Sequence, residues 1–512
     1  MSRLPNRPAL AAVCAVLFLT FLDTTIVSVT LGSVQTELHA GVVSLQWVVN
    51  AYTLVFASLM LMAGSLGDRW GHRRVMLCGI AVFCIGSLVA ARAPDPGTLI
   101  AGRAVMGVGA SAAEPGTLAI IRQLFPGGAE RARAIGVWAA VSGLALAMGP
   151  VFGGLLVGAW SWPAVFWFNV AAGLVLLVVV RRWVPESTGR LTGRLDVPGF
   201  ILGFAFLFCV VFAAISGEES GYDAPGVLTL FVVGGICLLA LLFVEHRTPS
   251  PMLDIRYLRA PMVRSALVVA FAVYFGIFSI FFFTALYLQE VVGYSAWRTA
   301  AVFGPMAVAI IAAALLTGIW VGWTRARIPM ITGCLVSAAG ILLTRNLLDD
   351  QPRFAPLALT LSVAGLGFGM AVVPLTAAVI GFMPADHAGI AAAVTNTMRQ
   401  VGAVVGVAAL GGLVNAHLTT GLTGRLNELD VPTGFQALVI SAIEQGQVPS
   451  GGDAAAAAAY GPIVNKVIHA TYAAFREGLS QALLVSAVLM VGAAGFTAIT
   501  TRGTRSVSVT EG

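Results

Sequence analysis

Fourteen apolar stretches, each about twenty residues long and closed by charged residues or Pro/Gly clusters, run along this chain and constrain its fold more than any other feature. A helix of that length rises about 30 Å, the thickness of the hydrocarbon core of a bilayer. In lipid, only such helices or closed barrels satisfy their own backbone hydrogen bonds. Composition points the same way: 58% of residues are hydrophobic and 10% are charged, against about 25% charged in an ordinary soluble domain. The expected fold class is an all-α integral membrane protein.

The stretches lie near 9–30, 46–66, 75–92, 98–121, 134–158 and 163–180, then near 198–216 and 225–244, and finally near 265–288, 299–321, 329–344, 355–380, 390–414 and 480–500. This six, two, six grouping divides the chain into a first six-helix half over 1–182, two additional helices with their linkers over 183–262, and a second six-helix half over 263–512. Arg3 and Arg7 ahead of the first stretch imitate a signal peptide, but the apolar run continues past Leu22 without a small-residue cleavage site, so it reads as a span. One long external segment is left, about 417–479. Within it, 461–478 alternates at helical spacing and suits an amphipathic helix, while the low-complexity run 451–459 suits a solvated loop, and both readings stay open.

Assigning alternate loops to opposite sides gathers Arg69, Arg73, Arg74, Arg131, Arg133, Arg181, Arg182, Arg256 and Arg259 on the face of the N-terminus, and leaves mainly Arg92, Arg298, Arg345 and Arg353 opposite. The positive-inside rule makes the arginine-rich face cytoplasmic, and an even number of spans puts both termini there, in a multi-pass protein of the cytoplasmic membrane. The net charge of +6 is accounted for by these short clusters, so no nucleic-acid partner is expected. Cys14, Cys78, Cys84, Cys209, Cys237 and Cys334 stand singly, without CxxC or a histidine at metal spacing, and read as packing residues, so no metal is expected. No HExxH, GxSxG or phosphate loop is present, which argues against a membrane enzyme and against ATP as the energy source. No cofactor is expected, and an ion gradient is left to drive any work.

Three places carry mechanism. The loop Gly64-Ser-Leu-Gly-Asp68-Arg69-Trp-Gly71-His72-Arg73-Arg74 joins the second and third spans, and its lone acid is placed to meet a helix N-terminus or an arginine in only one conformation, as a latch. Asp23 in the first span and Arg103 and Glu114 in the fourth are ionisable groups at membrane depth, where each costs several kcal/mol unless paired or hydrated. Arg103 and Glu114 fall nearly on one helix face, about three turns apart and beyond ion-pair reach. For Asp23 and Glu114 the bland alternative is a neutral acid bonded across helices. In the fifth span, Gly143 to Gly154 contains Gly149-Pro150-Val-Phe-Gly153-Gly154, which flattens a helix face and deletes one backbone bond.

The loop Gly64–Arg74 resembles the signature loop of the major facilitator superfamily, G-x-x-x-D-R-x-G-R-R, with His72 where arginine is usual, a group that titrates near neutral pH. The fourth span is similar to that family's pattern at Arg103, with Met106 where glutamine is usual. The fifth span resembles the family's antiporter motif, with Ala145 where glycine is usual. Asp23 within Phe21-Leu-Asp23-Thr24-Thr25 resembles the acidic first-span motif of the fourteen-span drug:proton antiporters, and Leu45–Tyr52, Pro251–Arg256 and Asn396–Gly402 extend the likeness along most of the chain. Gly318 to Arg327 occupies the matching loop of the second half and lacks the aspartate.

The resemblance implies a major facilitator fold, two pseudo-symmetric six-helix halves plus two extra central helices, 14 transmembrane helices in all, rocking about a midplane site. It implies proton coupling through Asp23, Arg103 and Glu114, a conformational latch of Gly64, Asp68, Arg69, Gly71, His72 and Arg73, and export marked by Gly149, Pro150, Gly153 and Gly154. Trp47, Asn50, Tyr52, Asn396 and Arg399 are the expected cavity residues. Glu114 has a second expected role, drawing in a cationic substrate. The expected activity is export of drugs or other amphipathic small molecules by a monomer in the lipid bilayer, with a small-metabolite importer and a non-transporting sensor as the alternatives.

Overall fold

The computed structural model describes residues 6–40, 42–186, 196–248, 255–321, 326–349, 352–428 and 462–501, and all regular elements among them are helical. The long helices are α1 (Asn6–Ile26, prolonged by a 3-10 turn and a short helix to Glu37), α2 (Val42–Trp70), α3 (His72–Ala91), α4 (Pro96–Leu124), α5 (Gly128–Ala159) and α6 (Pro163–Trp183). Then come α7 (Val197–Ser220) and α8 (Pro225–Arg247). The last group is α9 (Pro261–Leu286), α10 (Ala296–Val321), α11 (Arg327–Asn346), α12 (Phe354–Phe382), α13 (Ala388–Glu428) and α14 (Pro462–Thr500). Among the described residues, 13 helices are long and apolar enough to cross a membrane as they stand, and α5, bent by 42° between Leu146 and Val151, makes a fourteenth span.

The sequence sets these boundaries by simple means. Pro96, Pro163, Pro225 and Pro261 open their helices, where a missing amide costs nothing. Asp95 and Asp196 cap α4 and α7 by accepting from the amides of Thr98 and Gly199, both at 2.9 Å. Gly71 turns the chain between α2 and α3 at φ 98°, a left-handed conformation that a side chain would strain.

The two halves pack alike. In the first, α4 lies against α2 and α3, α1 against α5, and α3 against α6; in the second, α12 lies against α10 and α11, α9 against α13, and α11 against α14. Each contact recurs eight helices later, the pseudo-symmetry expected of the superfamily fold. Small residues set the spacing: a Cβ on Gly79 would stand 2.6 Å from the Gly109 carbonyl oxygen, and one on Gly333 would stand 2.8 Å from that of Gly367. In lipid, where apolar side chains gain nothing by leaving the solvent, such close backbone contact is what holds helices together.

The halves meet along two seams, α5 with α10 and α2 with α13. Gly136 and Gly318 face each other across the first, a Cβ on either lying 3.2 Å from the other's Cα; Gly64 abuts Gly389 and Ala393 across the second. Helix α7 lies over the second seam, packing the Phe212 ring at a tilt against Trp47 of α2 with centroids 5.4 Å apart, and Tyr222 just beyond its end sits against Gly412 of α13. Helix α8 packs on α7, and with 17% of its apolar window buried it turns Val232, Ile236 and Leu239 outward to lipid.

The external segment expected over 417–479 is helical at both ends. Helix α13 runs for 41 residues, about 60 Å and twice the hydrocarbon thickness, so it projects well beyond the apolar window that marks its span. The stretch 462–478 is one continuous helix with the last span, which agrees with the helical reading of that stretch and not with a loop. Residues 429–461 lie outside the described residues, as do Pro251 to Asp254 and positions 322–325 of the second-half loop.

Gly79→Ala is expected to cost about 1–3 kcal/mol by overpacking the α3–α4 contact, and Gly154→Ala, where a Cβ meets nothing within 4 Å, is expected to be neutral. Thermal unfolding in detergent reads both, and equal losses at the two sites would contradict this account of the packing.

Candidate functional site

Asp23 of α1, Arg103 of α4 and Asn169 of α6 are all fully buried and meet at one point. Asp23 Oδ2 accepts from Arg103 Nη1 at 2.5 Å, and Oδ1 accepts from Asn169 Nδ2 at 2.6 Å. Arg103 Nε donates to the Val48 carbonyl of α2 at 2.9 Å, and its guanidinium carbon lies 4.5 Å from the ring centre of Tyr52. The Tyr52 hydroxyl returns to α1, donating to the Thr20 carbonyl at 3.2 Å. Four helices of the first half thus converge on a single ion pair. Met106 places its sulfur 4.0 Å from Arg103 Nη1, a weak acceptor at the position where the family resemblance leads one to expect an amide. Protonating either oxygen of Asp23 removes the negative charge and takes up one of that oxygen's lone pairs, which weakens the bonds it accepts from Arg103 and Asn169.

The bent helix α5 is fastened to the same part of α1. Proline at 150 has no amide to give to the Leu146 carbonyl four residues earlier, and that carbonyl accepts instead from the Thr25 hydroxyl at 3.2 Å. Gly149 abuts Thr25, and a Cβ on Gly153 would stand 2.9 Å from the Ile26 carbonyl oxygen, whereas Gly154 faces open space. Two of the four expected antiporter-motif residues, Gly149 and Gly153, therefore join α5 to the helical turn that follows Asp23, and Pro150 frees the Leu146 carbonyl that bonds Thr25. Through Gly136, the same helix forms the seam with α10.

A second polar cluster spans the two halves. Arg399 of α13 donates to Asn396 Oδ1 at 3.0 Å and to the Thr376 hydroxyl of α12. Its guanidinium carbon lies 5.0 Å from the Trp138 ring of α5 and 5.4 Å from the Tyr274 ring of α9. Glu114, also fully buried, is within electrostatic reach of Arg399 and Tyr274 of this cluster and of Tyr52 beside Arg103.

Next to Tyr274 a small apolar cavity of about 30 Å³ opens between α5, α9, α10 and α12, with walls that include Ser142, Leu146, Phe281 and Phe368. None of the five residues expected to line a cavity forms its wall. Trp47 is covered by Phe212 of α7, Asn50 is half-buried on α2, and Tyr52 lies against Arg103. Asn396 and Arg399 belong to the cluster on which the Tyr274 ring rests. Helical periodicity places such residues on a face, and only the neighbouring helix decides what covers it.

On the arginine-rich face Asp68 caps α13. Its Oδ1 accepts from the Gly389 amide at 2.7 Å and its Oδ2 from the Ile390 amide at 2.9 Å, an anion against the positive end of a helix in the opposite half. His72 Nε2 stands 3.1 Å from Oδ1. Arg122 provides the inverse contact, donating Nη1 to the Ile380 carbonyl near the C-terminal end of α12. Arg73 and Arg74 instead stay within their own half, with Nε at 3.4 and 3.5 Å from Glu186 beyond the end of α6. Gly64 lies in the seam, Gly71 makes the turn, and Arg69 lies in the last turn of α2.

The sequence reading missed Asn169, Arg122, Thr376, Trp138 and Tyr274. Asn169 carried a signal, a lone amide in an apolar span; the aromatic pair carried none.

The family model described as Major Facilitator Superfamily matches residues 13–407. The chain belongs to the Major Facilitator Superfamily. It is 31% identical over 442 residues to multidrug resistance protein Stp of Mycobacterium tuberculosis (strain CDC 1551 / Oshkosh), covering 86% of this chain and 82% of the relative. It is 36% identical to puromycin resistance protein pur8 of Streptomyces alboniger, covering 78% and 80%. With the multidrug efflux pump LfrA of Mycolicibacterium smegmatis it shares 30% identity over 98% of both chains. The human organic anion transporter MFSD10 (TETRAN) superposes with a TM-score of 0.62 at 13% identity, covering 95% of this chain and 99% of that one. The proton:xylose symporter XylE gives a TM-score of 0.59 at 14% identity, with 96% and 95% covered. At such identities the structures support the superfamily fold alone.

In this superfamily member, Arg103→Gln leaves the Asp23 carboxylate buried without its cation, and the expected loss is about 3–5 kcal/mol. The double variant Asp23→Asn/Arg103→Gln removes both charges and is expected to recover most of that stability in detergent unfolding. A double variant as unstable as the single one would show that Asp23 and Arg103 are not energetically coupled.

Proposed function

We propose that the chain is a proton-coupled antiporter that exports drugs and other amphipathic, including cationic, small molecules across the cytoplasmic membrane by alternating access. The observation that carries the reading is the Asp23 carboxylate, bonded through both oxygens to Arg103 and Asn169 and fastened through Thr25 to the bent helix α5. The names of the relatives support the direction and the class of cargo: multidrug resistance, puromycin resistance and multidrug efflux. The arginine-rich face is cytoplasmic in this reading, with both termini on that side, and the protein works as a monomer without a cofactor, the proton gradient supplying the energy.

With Asp68 and Arg122 engaged, the cytoplasmic ends of the halves are closed. A proton arriving from outside neutralises Asp23, releases Arg103 or Asn169, and leaves the Arg103 charge poorly compensated. Loss of one partner from a buried pair costs about 3–5 kcal/mol, and shifting a two-state equilibrium from 1:99 to 99:1 takes about 5.5 kcal/mol, so this one event supplies much of the bias needed. The strain passes from α1 to α5 at Thr25 and Gly149, and from α5 to the seam with α10 at Gly136. The seam and the latch then open inward, substrate enters near Glu114, and the proton leaves to the cytoplasm. Return to the first state restores the Asp23 pair and exposes the cargo outside.

Ethidium accumulation in an efflux-deficient bacterium expressing the chain tests this reading. Wild type is expected to lower accumulation, a protonophore to abolish the effect, and Asp23→Asn to raise accumulation to the level of cells lacking the protein. Proton-dependent efflux that persists in Asp23→Asn would remove Asp23 from the coupling site.

A further inference from the structure

Arg103 and Arg399 are both buried guanidinium groups at membrane depth, yet they are treated differently. Arg103 has a carboxylate. Arg399 has none in contact among the described residues, being held by an amide oxygen, a hydroxyl and two ring faces. Its Nε has no hydrogen-bond partner, and neither does Asn396 Nδ2 beside it. Glu114, across the boundary between the halves, leaves Oε2 without a partner as well. All three residues are 1% exposed. Burying a polar atom unsatisfied costs free energy, and burying a charge unsatisfied costs far more, so two orphaned donors side by side and one orphaned acceptor within electrostatic reach of Arg399 call for a guest that completes them.

The chemistry of the orphans defines that guest. Arg399 Nε and Asn396 Nδ2 are donors and need an acceptor, best met by a carboxylate, since a charge-assisted bond is about twice as strong as a neutral one. Glu114 Oε2 is an acceptor and needs a donor, best met by a protonated or amidinium-like nitrogen. Tyr274 joins this polar end to the apolar space, because the ring that touches Arg399 is also a wall of the cavity with Leu146, Phe281 and Phe368. A lipophilic cation uses Glu114 but leaves the donors bare and meets the positive charge of Arg399.

We propose that Glu114, Asn396 and Arg399 form the head-group seat of the transport site and select zwitterionic amphipaths, molecules with an aromatic or polycyclic body that carry both a carboxylate and a basic nitrogen. The proposal rests on the export reading above and narrows its substrate class. Because Glu114 belongs to the first half and Arg399 to the second, such a guest bridges the halves, and Arg399 discriminates by charge.

A matched pair of fluorescent dyes tests it: zwitterionic rhodamine 110 and its cationic methyl ester, which differ only in the free carboxylate. Binding is read by fluorescence polarisation on the purified full-length protein. Wild type is expected to bind the zwitterion more tightly than the ester. Arg399→Gln is expected to weaken the zwitterion roughly ten- to a hundredfold, the worth of a hydrogen bond to a charged group, and to leave the ester unchanged or tighter. Arg399→Lys, which keeps the charge, is expected to retain the preference in part. The ester serves as an internal check that a variant is folded, and the wild-type preference stands as a test even where a variant fails to fold. No preference in wild type, no binding of either dye, or an equal loss of both in Arg399→Gln would overturn the proposal. Ethidium efflux measured in parallel separates the two failures: intact proton-driven efflux without dye discrimination sinks the seat and keeps the exporter, while absent efflux sinks the exporter.

Discussion

A carboxylate and a guanidinium held 2.5 Å apart in the middle of a helix bundle organise the first half of this transporter. Neither charge is tolerable there alone, and together they draw α1, α2, α4 and α6 to one point through Asn169, the Val48 carbonyl and the Tyr52 ring. Their value to the protein is conditional. A well-packed apolar pair of similar volume is often as stable, so what the ion pair adds, in the proposed cycle, is a stability that changes when one proton binds. The hydroxyl of Thr25, bonded to the carbonyl that Pro150 leaves without an amide, puts that change within two residues of the helix that forms a seam between the halves.

The latch uses helix ends in place of counter-charges. Asp68 meets the amides that open α13, and Arg122 meets a carbonyl that closes α12, so both contacts draw on partial charges fixed by secondary structure. In the proposed alternating-access cycle such contacts form when the two halves are aligned and are lost when they rock, which suits a switch better than a permanent bond does. The arginines that follow Asp68, Arg73 and Arg74, do a different job: they hold the α2–α3 turn to Glu186 inside the first half.

Much of this was legible in the chain. Span count and the six, two, six grouping follow from apolar length, because a bilayer imposes one length on every crossing helix, whereas the pseudo-repeat followed from the family resemblance and the matching second-half loop. Asp23, Arg103 and Asp68 announced themselves by being charged where charge is expensive, and the structure gives each a specific partner. What periodicity did not supply was the identity of neighbours. Trp47 has the look of a cavity residue until α7 covers it. Arg399 was expected beside a cavity, and the rings that flank it, Trp138 and Tyr274, come from helices far away in sequence and carry no local mark. The lengths of α13 and α14 were underread for a related reason, since the hydropathy signal ends with the membrane while the helix does not.

Proton release in solution is the measurement closest to the central claim that Asp23 carries the coupled proton. Purified protein in lightly buffered detergent, with a pH indicator dye, is mixed with a transported substrate near the pH at which binding is half-competed by protons. Substrate binding is expected to acidify the medium in wild type and to leave it unchanged in Asp23→Asn, which retains substrate binding. Equal acidification in the variant would place the coupled proton on another group.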